Sequence, residues 1–403
     1  MDIISQLSDE AAWHSFLEYK LAKGHLNTAE RKSLEAYITS KSYVQPAKAI
    51  QESLTLPPPV MKEINKTGTG KKRTVFSFGE NENNVLKLLT FLLRKYDCLF
   101  SDNLFSFRMD RGVRKAIERR LYGMDLARVY SYKVDIHDYF NSVNQELMLE
   151  TVRKELNDEP RLVRFIENVL TDPTALKDGE PVSARKGVMA GVPFSGFLAN
   201  LYLREMDEWF AERSTRYLRY SDDIIVFADS EAEIRDFEAV IKRFLADKKL
   251  EINPAKEIYT APGENIEFLG FCFTGSEIRI SDVSVQKIKD KLKRKSRALY
   301  RWRIRKNLDG GKAAKAYIRF LNRKFYNNTA DGEITWCRWY FPVITSEAAL
   351  KEIDDYAVAC IRYLYTGRYG KQNYNIRYDE IKALGFRSLV NSFWRFKNGS
   401  YET

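Results

Sequence analysis

The stretch Arg216-Tyr217-Leu218-Arg219-Tyr220-Ser221-Asp222-Asp223-Ile224-Ile225-Val226-Phe227 reads as two strands joined by a tight turn. The strands run from Arg216 to Tyr220 and from Ile224 to Phe227, and Ser221-Asp222-Asp223 joins them. Such a turn more usually takes Asn-Gly or Asp-Gly. Adjacent carboxylates are costly there, because like charges about 4 Å apart repel by about 1 kcal/mol even at the dielectric of water. Asp is also an ordinary turn residue, and paired acids at a hairpin can be merely solvated. A second acid tips the balance. Asp135 sits near the end of the β-run Tyr130-Ser131-Tyr132-Lys133-Val134-Asp135-Ile136, where a buried strand has little use for a carboxylate. If that strand lies beside the hairpin, three carboxylates converge, and such a cluster can hold two Mg²⁺ ions about 3.5–4 Å apart.

Composition narrows the chemistry. The 403 residues are 44% hydrophobic and 30% charged, which fits a globular chain of two or three lobes. A net charge of +11 and a pI near 9.2 point to a polyanionic partner, nucleic acid or an acidic membrane surface. No run approaches the roughly 18 apolar residues of a membrane span, and the N-terminus lacks signal-peptide character. Three histidines and four dispersed cysteines leave no basis for a zinc site, a disulfide framework or His-based triad chemistry. A reduced, cytoplasmic protein is expected. Any metal must sit on carboxylates, which suits Mg²⁺.

Four regions follow along the chain. Residues 1–60 read as a helical N-terminal extension, with Asn27 and Glu30 as a capping box and Pro57-Pro58-Pro59 as its end. Residues 61–125 open on a Gly- and Lys-rich turn, then a strand from Thr74 to Phe78 and a helix carrying Val85, Leu88, Leu89 and Leu92. Residues 126–282 alternate strands and helices in the order β-α-α-β-β-α-β of a ferredoxin-like sheet. Leu198, Leu201, Tyr202 and Met206 read there as one helix, and Ser230 with Glu233 as a second capping box. Residues 283–403 read as mostly helical. Lys287, Lys291, Arg294, Arg301 and Arg305 recur near helical spacing, a face that could follow a duplex backbone or simply be solvated.

Lys133-Val134-Asp135-Ile136-His137-Asp138-Tyr139-Phe140 resembles the first catalytic motif of reverse transcriptases, and Arg219-Tyr220-Ser221-Asp222-Asp223 resembles their Tyr-x-Asp-Asp motif. Between them, Gly187-Val188-Met189-Ala190-Gly191-Val192-Pro193-Phe194-Ser195-Gly196 and Leu198-Ala199-Asn200 keep the frame of the group II intron and retron enzymes. Met189 and Ala190 replace the usual Pro-Gln, and Gly196 replaces a second Pro. The resemblance implies an α+β right-hand polymerase: fingers over 61–125, a ferredoxin-like palm over 126–282 and a helical basic thumb over 283–403. It also implies two Mg²⁺ ions at Asp135, Ile136, Asp222 and Asp223, with Asp135 and Asp222 the direct ligands and Asp223 supporting them.

Further roles follow from the same resemblance. Lys66 and Arg73 would grip the incoming triphosphate, and Phe140 would block a ribose 2′-hydroxyl and so favour dNTPs. Gly191 would let backbone approach a nucleotide, and Lys256 would protonate the leaving pyrophosphate. Phe268-Leu269-Gly270-Phe271 resembles the primer-grip hairpin. The chain leaves no room for an RNase H, integrase or HNH domain after the thumb. The altered central motif and the ending Gly385-Phe386-Arg387-Ser388-Leu389-Val390-Asn391 look most like bacterial defence-associated, unknown-group enzymes. RNA-directed DNA synthesis is therefore expected, on an RNA template that could be a dedicated non-coding RNA, with dNTPs as substrates and DNA as product. A retron enzyme, or a protein-primed or template-independent polymerase, is the alternative.

Overall fold

A computed structural model describes the chain except residues 23–25, 27, 66–71, 109–110, 122–123, 185–186, 214, 276, 327–334, 371–372, 374 and 400–403, and the side chain at 120. It forms two compact units. The first comprises Met1–Gly24, Thr28–Met124 and Arg128–Pro262; the second is Gly263–Thr403 with two short stretches, His25–Asn27 and Asp125–Ala127. Among the described residues, no helix is long and apolar enough to cross a membrane.

The first unit opens with helices Ile3–Gln6, Glu10–Ala22, Thr28–Thr39 and Val44–Ser53. Trp13, Phe16, Tyr43, Ala47 and Ile50 are buried within it. The capping box expected at Asn27 falls outside the described residues. Past the prolines, β1 (Val60–Asn65) and β2 (Lys72–Ser77) pair antiparallel from Val60↔Ser77 to Asn65↔Lys72. Only the second of these strands was legible in the sequence. The hairpin β4 (Thr174–Lys177) and β5 (Glu180–Ser183) completes a four-stranded sheet in the order β2-β1-β4-β5.

The second sheet positions the acids. It contains β3 (Tyr130–Asp135), β6 (Tyr217–Tyr220), β7 (Asp223–Ala228) and β8 (Ile258–Thr260) in the order β6-β7-β3-β8. Numbered within the sheet, this is the antiparallel 4-1-3-2 arrangement that the ferredoxin-like reading required, taken in either direction along the sheet. One face presents Tyr132, Val134, Ile224 and Val226 to the core, where Ile234, Ile241 and Leu245 of helix Glu231–Asp247 join them. Alternation along the strands sends Asp135 and Asp223 to the other face. Ser230 caps that helix by accepting from the Glu233 amide. The return bond differs from the expected box, because the Glu233 carboxylate takes the Asp229 amide instead. The single helix read through Leu198 and Met206 is two, Ser195–Tyr202 and Arg204–Glu212, broken at Leu203.

The second unit contains a three-stranded sheet, β9 (Ile266–Phe268), β10 (Phe271–Thr274) and β11 (Glu277–Ile280), followed by helices. Its start at Gly263 precedes the expected boundary at 283. The cause is local: the Thr345 amide donates to the Ile278 carbonyl, and the Phe271 and Tyr340 ring centroids lie 5.2 Å apart. The β9–β10 turn puts Leu269 and Gly270 at φ 52° and 87°, as a two-residue hairpin turn requires. Helix Asp282–Arg305 buries Val285, Ile288 and Leu292. Lys287, Lys291, Arg294, Arg301 and Arg305 are all exposed, and their spacing puts them along one face of that helix.

Candidate active site

Strands β3 and β7 run in register from Tyr130↔Ala228 to Asp135↔Asp223, so the Asp135 and Asp223 side chains are direct cross-strand neighbours. Asp222 follows Ser221 in the two-residue loop that closes Tyr220↔Asp223. The Ile136 amide donates to the Asp222 carbonyl at 3.1 Å, which ties the loop to the end of β3. Ile136 itself is buried and apolar, so only its backbone carbonyl could meet a cation.

The loop adopts a costly conformation. Ser221 has φ 63°, a region that favours glycine. Buried bonds hold it there: its amide donates to Ser106 Oγ at 2.8 Å, and its carbonyl accepts from Arg219 Nη1 at 3.3 Å. Arg219 is wholly buried and pairs in bidentate fashion with buried Asp207, through Nε–Oδ1 at 2.8 Å and Nη2–Oδ2 at 2.5 Å. Burial opposes the Arg219 charge, but Asp207 outweighs it and holds the guanidinium protonated. Tyr217 also donates to Asp207, and Arg219 Nη2 reaches the Asn200 carbonyl. Sequence reading passed over Arg219, Asp207 and Ser106 as supports. The available signal was a charged side chain inside an otherwise apolar strand.

The three acids crowd each other electrostatically. Burial, then the Asp135 charge, raises Asp222 above the ordinary carboxylate value. Burial, then Asp222 and Asp135, pushes Asp223 up to about 6. Lys256 Nζ lies 2.5 Å from Asp135 Oδ2, and Asn253 Nδ2 lies 3.4 Å from Oδ1. Burial works to lower the Lys256 ammonium, but Asp135, Asp223 and Asp222 outweigh it and raise it. Among the described residues, no group of three or more His, Cys, Asp or Glu side chains stands ready to hold an ion. Lys256 and Asn253 engage the Asp135 carboxylate in its place.

The other sequence candidates are placed unequally. Lys66 falls outside the described residues. Arg73 is exposed on β2, its guanidinium 6.0 Å from the Phe140 ring centroid, and its charge lowers Asp222. Phe140 is half-buried, edge-to-face with Tyr139 at 5.9 Å and with Phe107 at 5.8 Å. Gly187, at φ 51°, lies where an added Cβ would come within 2.2 Å of the Phe140 carbonyl. Gly191 has φ 100°, and its close approach is to the Phe76 carbonyl of β2, so packing alone requires glycine there. Met189 and Ala190, in the positions of the usual Pro-Gln, are buried. The basic helix face and the β9–β10 hairpin belong to the second unit.

A family model described as "Reverse transcriptase (RNA-dependent DNA polymerase)" matches residues 64–273. A search of curated proteins found no match. Solved structures found to be similar include apo telomerase from Candida tropicalis truncated from the C-terminal domain, at 15% identity and a TM-score of 0.44, covering 56% of this chain and 55% of that one. Telomerase from Candida albicans, in complex with a TWJ fragment of telomeric RNA, matches at 12% identity and 0.43, covering 83% and 67%. Apo telomerase from Candida tropicalis matches at 13% and 0.46, covering 82% and 59%. The chain thus spans between about half and two thirds of the length of those proteins.

Proposed function

Because the chain belongs to the reverse transcriptase family, matched over more than half its length, we propose that it synthesises DNA on an RNA template from dNTPs. The observation that carries this reading is the pairing of Asp135 with Asp223 beside the strained turn that presents Asp222. The donor set fits a hard divalent cation. It offers oxygen ligands only, and burial and mutual repulsion raise two of its acids above the ordinary carboxylate value, a cost a cation would relieve. Mg²⁺ is the proposed ion, two per site, with Asp135 and Asp222 as ligands, Asp223 behind them and the Ile136 carbonyl at the margin. When bound, the cations supply the charge that activates a 3′-hydroxyl and stabilises leaving pyrophosphate.

The chain's own residues do the rest. The Arg73 guanidinium binds triphosphate oxygens, a role the family resemblance also gives to Lys66. The Phe140 ring excludes a ribose 2′-hydroxyl. Lys256 Nζ, kept protonated by the three carboxylates, delivers a proton to the pyrophosphate. Lys287, Lys291, Arg294, Arg301 and Arg305 follow the duplex backbone, and the β9–β10 turn supports the primer end. The regional assignment proposed is fingers 61–125, palm 126–282 and thumb 283–403.

The altered central motif supports placement among bacterial defence-associated enzymes, acting in the cytoplasm against phage with a dedicated non-coding RNA as template. Exposed, free Cys98 suits a reducing compartment. Buried Met189 and Ala190 favour a second reading, a protein-primed or template-independent polymerase, because no polar side chain stands where the family's Gln meets the template. Purified protein should incorporate dNTPs with Mg²⁺, and Asp222→Ala with Asp223→Ala should abolish it. Robust product from that double variant would defeat the assignment. Sequencing the RNA and DNA that co-purify separates the two readings, since templated product copies a bound RNA.

A further inference from the structure

A cleft of about 250 Å³ lies within the first unit. Helix Glu10–Ala22 contributes Phe16, Tyr19 and Lys20. Helix Glu80–Leu92 contributes Lys87 and Phe91, and the 3-10 helix Leu93–Leu99 after it contributes Arg94. Phe107, Arg108 and Phe197 close it. Aromatic walls and cations therefore alternate around one opening.

The charge balance of this lining is positive. Its one acid, Asp97, is already neutralised by Arg108, with Nε–Oδ1 at 2.9 Å and Nη2–Oδ2 at 2.8 Å. Arg94 lies against two rings, 4.5 Å from the Tyr19 centroid and 4.7 Å from that of Phe91, and its Nε is buried without a hydrogen-bond acceptor. Lys20 is half-buried close enough to Lys87 to feel its charge; burial first, then that charge, lowers the Lys20 ammonium. Glu30 acts on Lys20 in the opposite sense but does not outweigh burial and Lys87, so an arriving anion would be favoured there.

Phe107 is the decisive wall. It is 60% exposed and sits at φ 53°, so the chain accepts a strained backbone to keep a large ring in water. Gly196 makes the seat, since a Cβ there would come within 2.6 Å of the Phe107 ring. The departure from the family's Pro at this position thus has a local purpose. The same ring meets Phe140 edge-to-face, with centroids 5.8 Å apart.

We propose that this cleft binds an unpaired base and its phosphate from a single-stranded nucleic acid, with Phe107 as the stacking platform and Lys20, Lys87 and Arg94 as the phosphate-facing cations. Base stacking on an aromatic ring beside cationic side chains is how sequence-tolerant single-strand sites work. A folded duplex offers no free base face and does not enter. The site gives the N-terminal extension a role in strand handling, and it holds whether or not the polymerase assignment does.

The test uses the full chain and a fluorescein-labelled single-stranded oligouridylate, with a blunt duplex of equal length as control. Phe107→Ala should weaken single-strand binding roughly tenfold, the scale of one lost stacked base. Lys20→Ala with Lys87→Ala should weaken it similarly and flatten its salt dependence, while duplex binding and dNTP incorporation on a preformed RNA–DNA hybrid persist. Thermal melts establish that each variant is folded. Single-strand affinity unchanged in both folded variants overturns the proposal. So does an equal loss for single strand and duplex, which would mark a general electrostatic surface.

Discussion

At Asp222 and Asp223 the fold works against its own stability. Both carboxyls are raised, Asp223 from 3.8 to about 6. Between those values the folded chain holds a proton that the unfolded chain has released. Without divalent cations, the pair's contribution to stability must therefore fall as pH rises through that window, and recover as pH falls. Asp222→Asn with Asp223→Asn should raise stability at pH 7 by about 1–3 kcal/mol while removing activity. The gain should shrink towards pH 4, and urea denaturation at both pH values checks it. A variant no more stable than the parent at pH 7 would show that the two carboxylates do not burden the fold. Phe140 makes a separate prediction. Phe140→Ala should admit NTPs, read as ribonucleotide incorporation; a variant that still rejects NTPs removes the gate argument.

Strand β6 and the loops around it carry the site's rigidity. Arg219→Met would leave Asp207 charged, buried and unpaired, and should cost about 3–5 kcal/mol. Replacing both partners, Arg219→Met with Asp207→Leu, should recover much of that stability but not activity, because the Ser221 carbonyl and its strained turn lose a donor. Comparing denaturation with dNTP incorporation in the two variants decides it. Gly187→Ala should impair both, since its Cβ would drive into the Phe140 carbonyl; relaxed discrimination against NTPs is the specific readout. These elements show where sequence reading stops. The β7 hairpin was legible because acids broke an apolar alternation. Strand β1, the β4–β5 hairpin and the break at Leu203 were not, because their patterns carry no comparable anomaly. Gly196 read only as a departure from a motif until Phe107, distant in sequence, was found against it.

Across the whole molecule, charge is distributed by helix face. Replacing Lys287, Lys291, Arg294, Arg301 and Arg305 with Gln should weaken duplex binding and lower the slope of log affinity against log salt by about 0.9 for each phosphate no longer neutralised. An unchanged slope would make that face merely solvated. The sequence by itself determined the strand that carries Asp135, the two strands on either side of Ser221-Asp222-Asp223, and the basic helix face; that Asp223 opens β7 rather than closing the turn came from the structure. Those strands and that face are written in local order: side-chain alternation, helical period and residues out of place in their pattern. The tertiary structure alone decided that Asp135 stands opposite Asp223 and that Lys256 holds its carboxylate. It alone showed that a buried Arg219–Asp207 pair braces the turn, and that the sheet after Gly263 belongs with the helices that follow. Register and long-range pairing depend on which surfaces bury each other, and no local pattern encodes that choice. The three aspartates were visible as anomalies; the reason they can be tolerated became visible only in the packing beneath them.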